Sequence, residues 1–342
     1  MKNIELLEPA DGFVTAPLQK HTWPPRDEES GGRAGAFDWN NLQIIGTDRS
    51  HPHPVRLAWK RPSLRFGQVV YSVALSMSRD MADCVLLETN RTKADFWHPY
   101  LGRKYHWKVS ALRSGRTVAE SPVRSFTTDP TPPRWIRVPG MTNMRDIGGW
   151  PLAGGRRIRQ GAIYRSSEMN GSLQISNSGR RILEDDLAIR TDLDLRGVDE
   201  ASPALDPDKV AWINVPISPY DSICDEAFKA GYRRIFEILA DPSRYPIVFH
   251  CVGGADRGGT VAFLLNALLG KSRTHLFADY ELTSLSIWGE RSRLSEQFNG
   301  LLSTLAAFGD DRNDVNAQVE AYVRSIGVGE ETIAAIRSQL VE

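Results

Sequence analysis

Through residue 130 the chain alternates apolar and polar positions in short runs. Val55–Pro62 (VRLAWKRP), Val69–Ser78 (VVYSVALSMS) and Lys104–Leu112 (KYHWKVSAL) read with a period of two, and Ser121–Asp129 closes the series. In the third run the alternation puts Tyr105, Trp107, Val109 and Ala111 on one face. Polar turns such as Arg113–Arg116 separate the runs, and short strands at this spacing predict an all-β sandwich. Prolines at 130, 132 and 133 then break the pattern, because a central strand cannot run through them. The expected domains are therefore 1–130 and 131–342. From Arg134 the pattern becomes strands alternating with helices. Ala162–Ser167, Asp186–Gly197, Val210–Ile217 and Tyr245–Cys251 contain buried strands. Asp225–Ala240 has the apolar stripe of a helix, at Phe228, Tyr232, Ile235, Phe236 and Leu239. Gly259–Gly270 reads as a buried helix, and two more helices flank Gly327–Gly329 at the C-terminus. The second domain is thus expected to be α/β, with a mostly parallel central sheet between helical layers.

Composition narrows the classes. A chain of 342 residues is long for one core, which supports two domains. Lys plus Arg equals Asp plus Glu at 42 each, so bulk charge gives no support to nucleic-acid binding. No apolar stretch reaches the ~18 residues of a membrane span. The N-terminal MKNIELLEPADG has no apolar signal core, so the chain as it stands is expected in the cytoplasm. A removed signal would instead make it secreted or periplasmic. Three widely spaced cysteines (Cys84, Cys224, Cys251) make a disulfide framework or a zinc site unexpected. Neither a cofactor nor a metal is implied.

The first domain resembles fibronectin type III and related immunoglobulin-like sandwiches over residues 5 to 128, with an irregular insert between Lys20 and Pro54. Trp59 in an early strand carries this resemblance, with LGRKYHWKVSA, where Leu101 precedes Tyr105 by four as in a tyrosine corner. Trp59, Tyr105 and Trp107 are expected in the core rather than at a carbohydrate site.

The chemistry concentrates in His250–Thr260, HCVGGADRGGT, at a strand-to-helix turn. In such folds ligands bind where loops leave the C-terminal ends of strands. Five residues separate Cys251 from Arg257. Successive backbone N–H groups closing on a helix N-terminus make a concave anion site. Gly253 and Gly254 permit close approach and otherwise strained angles. The same donors favour a thiolate, and Arg257 can take two phosphate oxygens with its planar fork. In-line attack on phosphorus would give a phosphocysteine.

This stretch resembles the HC-x5-R signature of cysteine-dependent tyrosine and dual-specificity phosphatases. Thr142–Trp150 (TNMRDIGGW), Gly161–Met169 (GAIYRSSEM), Asp194–Glu200 (DLRGVDE) and Asp279–Ser284 (DYELTS) follow one another as in the bacterial tyrosine/lipid phosphatases. The resemblance runs from about Trp135 to the C-terminus. It implies Cys251 as nucleophile, Arg257 as phosphate clamp, and a cradle of Val252, Gly253, Gly254, Ala255 and Gly258 with His250 orienting the loop. Two aspartates compete as general acid: Asp256 inside the loop and Asp194 at the end of another strand, where it could equally pair with Arg196. Asn143, Arg145, Asp146 and Arg165 are expected to be structural, Tyr280 to be core, and Tyr220 to stack on a substrate phenyl ring. The chain departs from the family at Ala255, where Lys is common, and at Gly258, where Ser or Thr is common. The first loss argues against highly charged inositol phosphates, and the second removes a hydroxyl that supports the leaving sulfur. Thr260 points ~200° away on an ideal helix and is a poor substitute.

The expected function is hydrolysis of phosphate monoesters, foremost protein phosphotyrosine with dual specificity admitted. A phosphoinositide phosphatase and a phosphate-binding pseudophosphatase are the alternatives. The expected partner is a phosphorylated protein or a small phosphomonoester. A Walker loop is disfavoured because no Lys precedes the Ser/Thr position. A sulfurtransferase is disfavoured by Arg257 and the flanking motifs. Oligomeric state is not legible.

Overall fold

The computed structural model describes residues 2–19, 48–63, 68–309, 311 and 313–342. Most of the insert between Lys20 and Pro54 lies outside them. The described residues form two compact units. One comprises 2–19, 52–63 and 68–132; the other comprises 48–51 with the described residues from 133 onward.

The first unit is all β. Its strands are β1 (Lys2–Asn3), β2 (Leu6–Glu8), β3 (Phe13–Val14), β4 (Val55–Trp59), β5 (Val70–Ser76), β6 (Val85–Thr89), β7 (Lys93–Phe96), β8 (Lys104–Arg113), β9 (Arg116–Glu120) and β10 (Arg124–Thr127). The long strand β8 organises the larger sheet: β5 pairs along one edge, and β9 and β10 pair in tandem along the other. A smaller sheet has the order β2-β4-β7. The alternation expected in β8 is observed, with Tyr105, Trp107, Val109 and Ala111 all buried. Trp59 is buried too and meets Tyr71 edge to face at 5.3 Å. These aromatics are core.

The second unit contains β11 (Arg145–Asp146), β12 (Ile163–Ser166), α1 (Asn177–Arg181), β13 (Thr191–Asp194), β14 (Ala211–Asn214), α2 (Glu226–Ala240), β15 (Ile247–His250), α3 (Arg257–Leu268), α4 (Arg273–Glu281), α5 (Glu296–Leu305), α6 (Val315–Ser325) and α7 (Glu330–Leu340). The sheet order is β11-β12-β15-β13-β14. Four strands are parallel, and β11 is an antiparallel edge. Successive side chains serve opposite layers, as the strand period requires. Ile247 and Phe249 enter the core beneath α2 to α7, while Val248 and Tyr164 enter a smaller core with Met144, Met169 and Leu183. Such two-sided burial explains the near-continuous apolar reading of YPIVFHC. Helix α3 is buried along its whole length after Arg257, consistent with its lack of a polar face. The central strand β15 and this central helix bracket the cysteine loop.

Residues 48–51 pack with the second unit: Arg49 N–H donates to Leu285 O at 2.7 Å, and Asn143 N–H donates to Ser50 Oγ at 3.0 Å.

Candidate active site

Cys251 leaves the end of β15 buried, 3% exposed, and α3 starts six positions later at Arg257. Three consecutive carbonyls of the intervening loop are engaged by neighbouring segments. Val252 O accepts Glu168 N–H at 2.9 Å, Gly253 O accepts Asn143 Nδ2–H at 3.1 Å, and Gly254 O accepts Arg165 Nη2–H at 2.6 Å. In a planar trans peptide the N–H opposes the C=O. The N–H groups of Gly253, Gly254 and Ala255 therefore face away from those partners, which is the arrangement an anion cradle needs. Gly254 has φ +62°, and a Cβ there would lie 2.1 Å from Ser166 O, so only glycine fits. Gly253 lies against Trp288, whose ring would be 3.1 Å from an added Cβ.

The motifs outside the loop hold it. Asp279 on α4 accepts from Arg145 Nε and from Arg165 Nη1, both at 3.0 Å. Burial opposes its charge, but Arg145, Lys271 and Arg165 outweigh it and hold the carboxyl well below the usual range. Arg165, expected to support the sheet edge, reaches the loop itself. Burial and neighbouring Arg145 bring its guanidinium down to about 10, against the pull of Asp279 and Cys251. Asp146 is structural, accepting from Arg134, Gly148 N–H and Gly161 N–H.

His250 is buried, with Nε2 3.0 Å from Asp192 and 4.0 Å from Asp194, and Nδ1 3.3 Å from Cys251 O. Burial would lower its pKa, but Asp192 and Asp194 raise it above the ordinary value. Its ring thus faces two carboxylates, suited to orienting the loop rather than to taking a proton from substrate.

The two candidate acids stand in different settings. Asp194 is fully buried and chelated by Arg196, with Nε to Oδ1 at 2.9 Å and Nη2 to Oδ2 at 2.8 Å. Burial alone would raise its pKa, yet the Arg196 hydrogen bonds and His250 hold it below the ordinary value. Arg196 also contacts Glu168 and Asn170. Asp194 is therefore the anion of an internal lattice. Asp256 instead is 42% exposed and lines a cavity of about 710 Å³ with Arg257, Tyr220, Tyr280, Glu290 and Arg291. Arg257 Nη1 lies 3.5 Å from Glu200 Oε2. Tyr220, expected to stack on a substrate ring, lines this cavity. It is 9% exposed, and its hydroxyl bonds Asp256 and Tyr280.

Gly258 leaves space beside the thiol: an added Cβ would lie 4.0 Å from Cys251 Sγ. Thr260 is committed elsewhere, donating to Asp256 O at 2.9 Å and accepting from Tyr220 N–H at 3.1 Å. Gly258→Ser should therefore place a hydroxyl within reach of Sγ without a clash. If breakdown of a phosphocysteine limits turnover, the expected result is a several-fold rise in kcat with kcat/KM little changed. Stopped-flow burst amplitudes check this, and an unchanged burst would contradict it.

Among the described residues no group of three or more His, Cys, Asp or Glu is placed to hold a metal, and no helix is long and apolar enough to cross a membrane. The sequence reading missed Glu168, Asp192, Glu200, Trp288 and Arg291. Glu168 lies within Gly161–Met169 and Glu200 ends Asp194–Glu200, whereas nothing local marks Asp192 or Arg291.

Residues 136–342 match the profile of a family described as the tyrosine phosphatase family. A Cupriavidus necator protein, named by inference a tyrosine-protein phosphatase, is 31% identical over 166 residues, covering 41% of this chain and 59% of that protein. The chain thus spans only 59% of that relative's length. Among solved structures, the core catalytic domain of the PP-IP phosphatase SIW14 from S. cerevisiae, in complex with citrate, has a TM-score of 0.30 at 20% identity, covering 48% of this chain and 84% of that one. Another Siw14 catalytic core has a TM-score of 0.28 at 21% identity, covering 36% and 70%. Likenesses this low bear on neither fold nor substrate.

Proposed function

Because the chain belongs to the tyrosine phosphatase family, whose members are phosphatase hydrolases, we propose that it hydrolyses phosphate monoesters, foremost protein phosphotyrosine, through a phosphocysteine on Cys251. The observation that carries this reading is the outward engagement of the carbonyls of Val252, Gly253 and Gly254 between Cys251 and Arg257. Phosphate oxygens would take the inward N–H groups and the Arg257 fork, with phosphorus in line with Sγ. Sulfur attacks, the P–O bond to the leaving group breaks, and the leaving oxygen takes a proton from Asp256. Water then attacks the phosphocysteine, giving its proton to Asp256 and releasing inorganic phosphate and the thiolate.

Asp256 is preferred to Asp194 because it lines the cavity with Arg257. Asp256→Asn should remove the basic limb of the kcat/KM profile and hit poor leaving groups hardest. Asp194→Asn should lower stability and leave that limb in place. A limb lost in the second variant would reverse the assignment.

Charge on the cavity wall supports a singly phosphorylated substrate. Asp256 and Glu290 balance Arg257 and Arg291, and Ala255 adds no cation. A panel of phosphotyrosine, phosphoserine and phosphothreonine peptides with phosphoinositides tests this, and preference for a phosphoinositide would overturn the protein-substrate reading. For the first unit we read a fibronectin type III-like sandwich, supported by its two sheets and by Tyr100 N–H donating to Tyr105 Oη at 2.8 Å. We place the domain boundary near residue 130, with residues 48–51 grouped with the second unit.

A further inference from the structure

Asp256 occupies the N-cap position of α3, where an aspartate ordinarily turns back to accept from its own helix. Here its side chain makes no cap bond. It extends into the cavity, where Arg291 Nε meets Oδ1 at 3.0 Å and Nη2 meets Oδ2 at 3.1 Å. The Tyr220 hydroxyl donates to Oδ1. A local preference given up in this way marks a position under another demand.

Both partners are themselves fixed. The Arg291 guanidinium also donates to Trp288 O at 3.3 Å and Glu290 O at 3.0 Å, so it ties the 288–291 turn to the phosphate loop. Trp288 of the same turn lies against Gly253. Tyr220 has φ +60°, a left-handed conformation uncommon outside glycine and kept where the surroundings over-determine it. Its backbone N–H is held by Thr260 Oγ1, which in turn donates to Asp256 O. Its hydroxyl lies 3.0 Å from that of Tyr280. Burial, then Tyr280 and Asp256, push the Tyr220 phenol well above its ordinary value, so it stays a donor across the working pH range. Asp256 raises Arg291 against the opposing effect of burial.

We propose that Tyr220 and Arg291 are positioning residues that aim the Asp256 carboxyl at the leaving-group oxygen. This rests on the phosphatase reading above and adds two residues that the motifs do not mark. The charged and titratable groups that Asp256 faces across the cavity are Arg257, Arg291, Glu290, Tyr220 and Tyr280. Aim and proton supply matter most when the leaving group is a strong base.

The test compares kcat/KM for phenyl phosphate, a poor leaving group, with p-nitrophenyl phosphate, a good one, in Tyr220→Phe, Arg291→Met, Arg291→Lys and Asp256→Asn. Phenyl phosphate turnover should fall about tenfold or more in Tyr220→Phe and Arg291→Met, while p-nitrophenyl phosphate changes about threefold or less. Arg291→Lys, which keeps the charge and one donor, should recover part of the loss. Equal losses on both substrates would overturn the proposal. Tyr220→Phe keeps the ring packed against Tyr280, so it provides the test even if Arg291→Met does not fold. If Asp256→Asn itself shows no leaving-group dependence, the acid assignment fails. If Asp256→Asn shows it and the other variants do not, only the positioning roles fail.

Discussion

Cys251→Ser is expected to abolish phosphate-ester hydrolysis, with kcat falling on the order of 10⁴ or more, while phosphate and vanadate still bind within a few-fold of wild type. The nucleophile is a single atom, and loss of such an atom removes nearly all chemistry that depends on it. Binding rests on different groups, the loop N–H donors and Arg257, and their geometry is set by Glu168, Asn143 and Arg165. None of those contacts uses the sulfur. Cys84 is exposed on the first unit and Cys224 is half-buried, so their serine variants should keep full activity. Hydrolysis of an aryl phosphate and equilibrium binding of vanadate are the two measurements. Equal inactivity of wild type and variant, with phosphate binding intact, would make the protein a pseudophosphatase and sink the enzyme reading.

What the sequence discloses follows the range of the physics involved. Cys251, Gly253, Gly254 and Arg257 sit within one turn, and their joint meaning is local, so it is legible in a single string. The strand β8 announces itself because one buried face imposes a period of two on consecutive residues, and β15 because burial on both faces makes it a short apolar run. Helix α5 was not read, because Gly300 weakens its pattern; that glycine lies against the Asp221 side chain, whose Cβ would be 3.9 Å from an added Cβ. The choice between Asp194 and Asp256 was not legible either. Asp194 ends a strand and Asp256 lies in the loop after one; a pairing of Asp194 with Arg196 was open from the sequence, but only the fold puts Asp256 at a cavity. Arg291 reaches Asp256 across 35 positions from a turn with no periodicity, and such a partner leaves no local trace.

Asp279→Asn should destabilise the second unit by about 3–5 kcal/mol, because removing one partner of a buried ion pair strands the other. Asp279 answers two fully buried guanidiniums, Arg145 and Arg165. It also attracts Lys271, whose Nζ stacks 3.6 Å over the Trp150 ring and whose amine burial pulls down to about 7. The amine can shed its proton, whereas the guanidiniums stay charged and unanswered. The sign of the pH dependence follows from the depressed Asp279. Its contribution is fully present above the unfolded carboxylate value of about 3.9 and is lost progressively as pH falls from there toward the depressed folded value. Thermal unfolding of wild type and variant should therefore differ most near neutrality, and the gap should begin to narrow only below about pH 4. Activity should fall with stability, because Arg165 released from Asp279 no longer holds Gly254 O in place, and kcat/KM should drop even at temperatures where the variant is folded. Arg165→Lys, which keeps a cation beside Asp279 but cannot span both acceptors, should reproduce the activity loss with a smaller stability loss. An Asp279→Asn protein with wild-type unfolding temperature at pH 7 would show that the buried cations are answered by something else, and the scaffold described for the loop would be wrong.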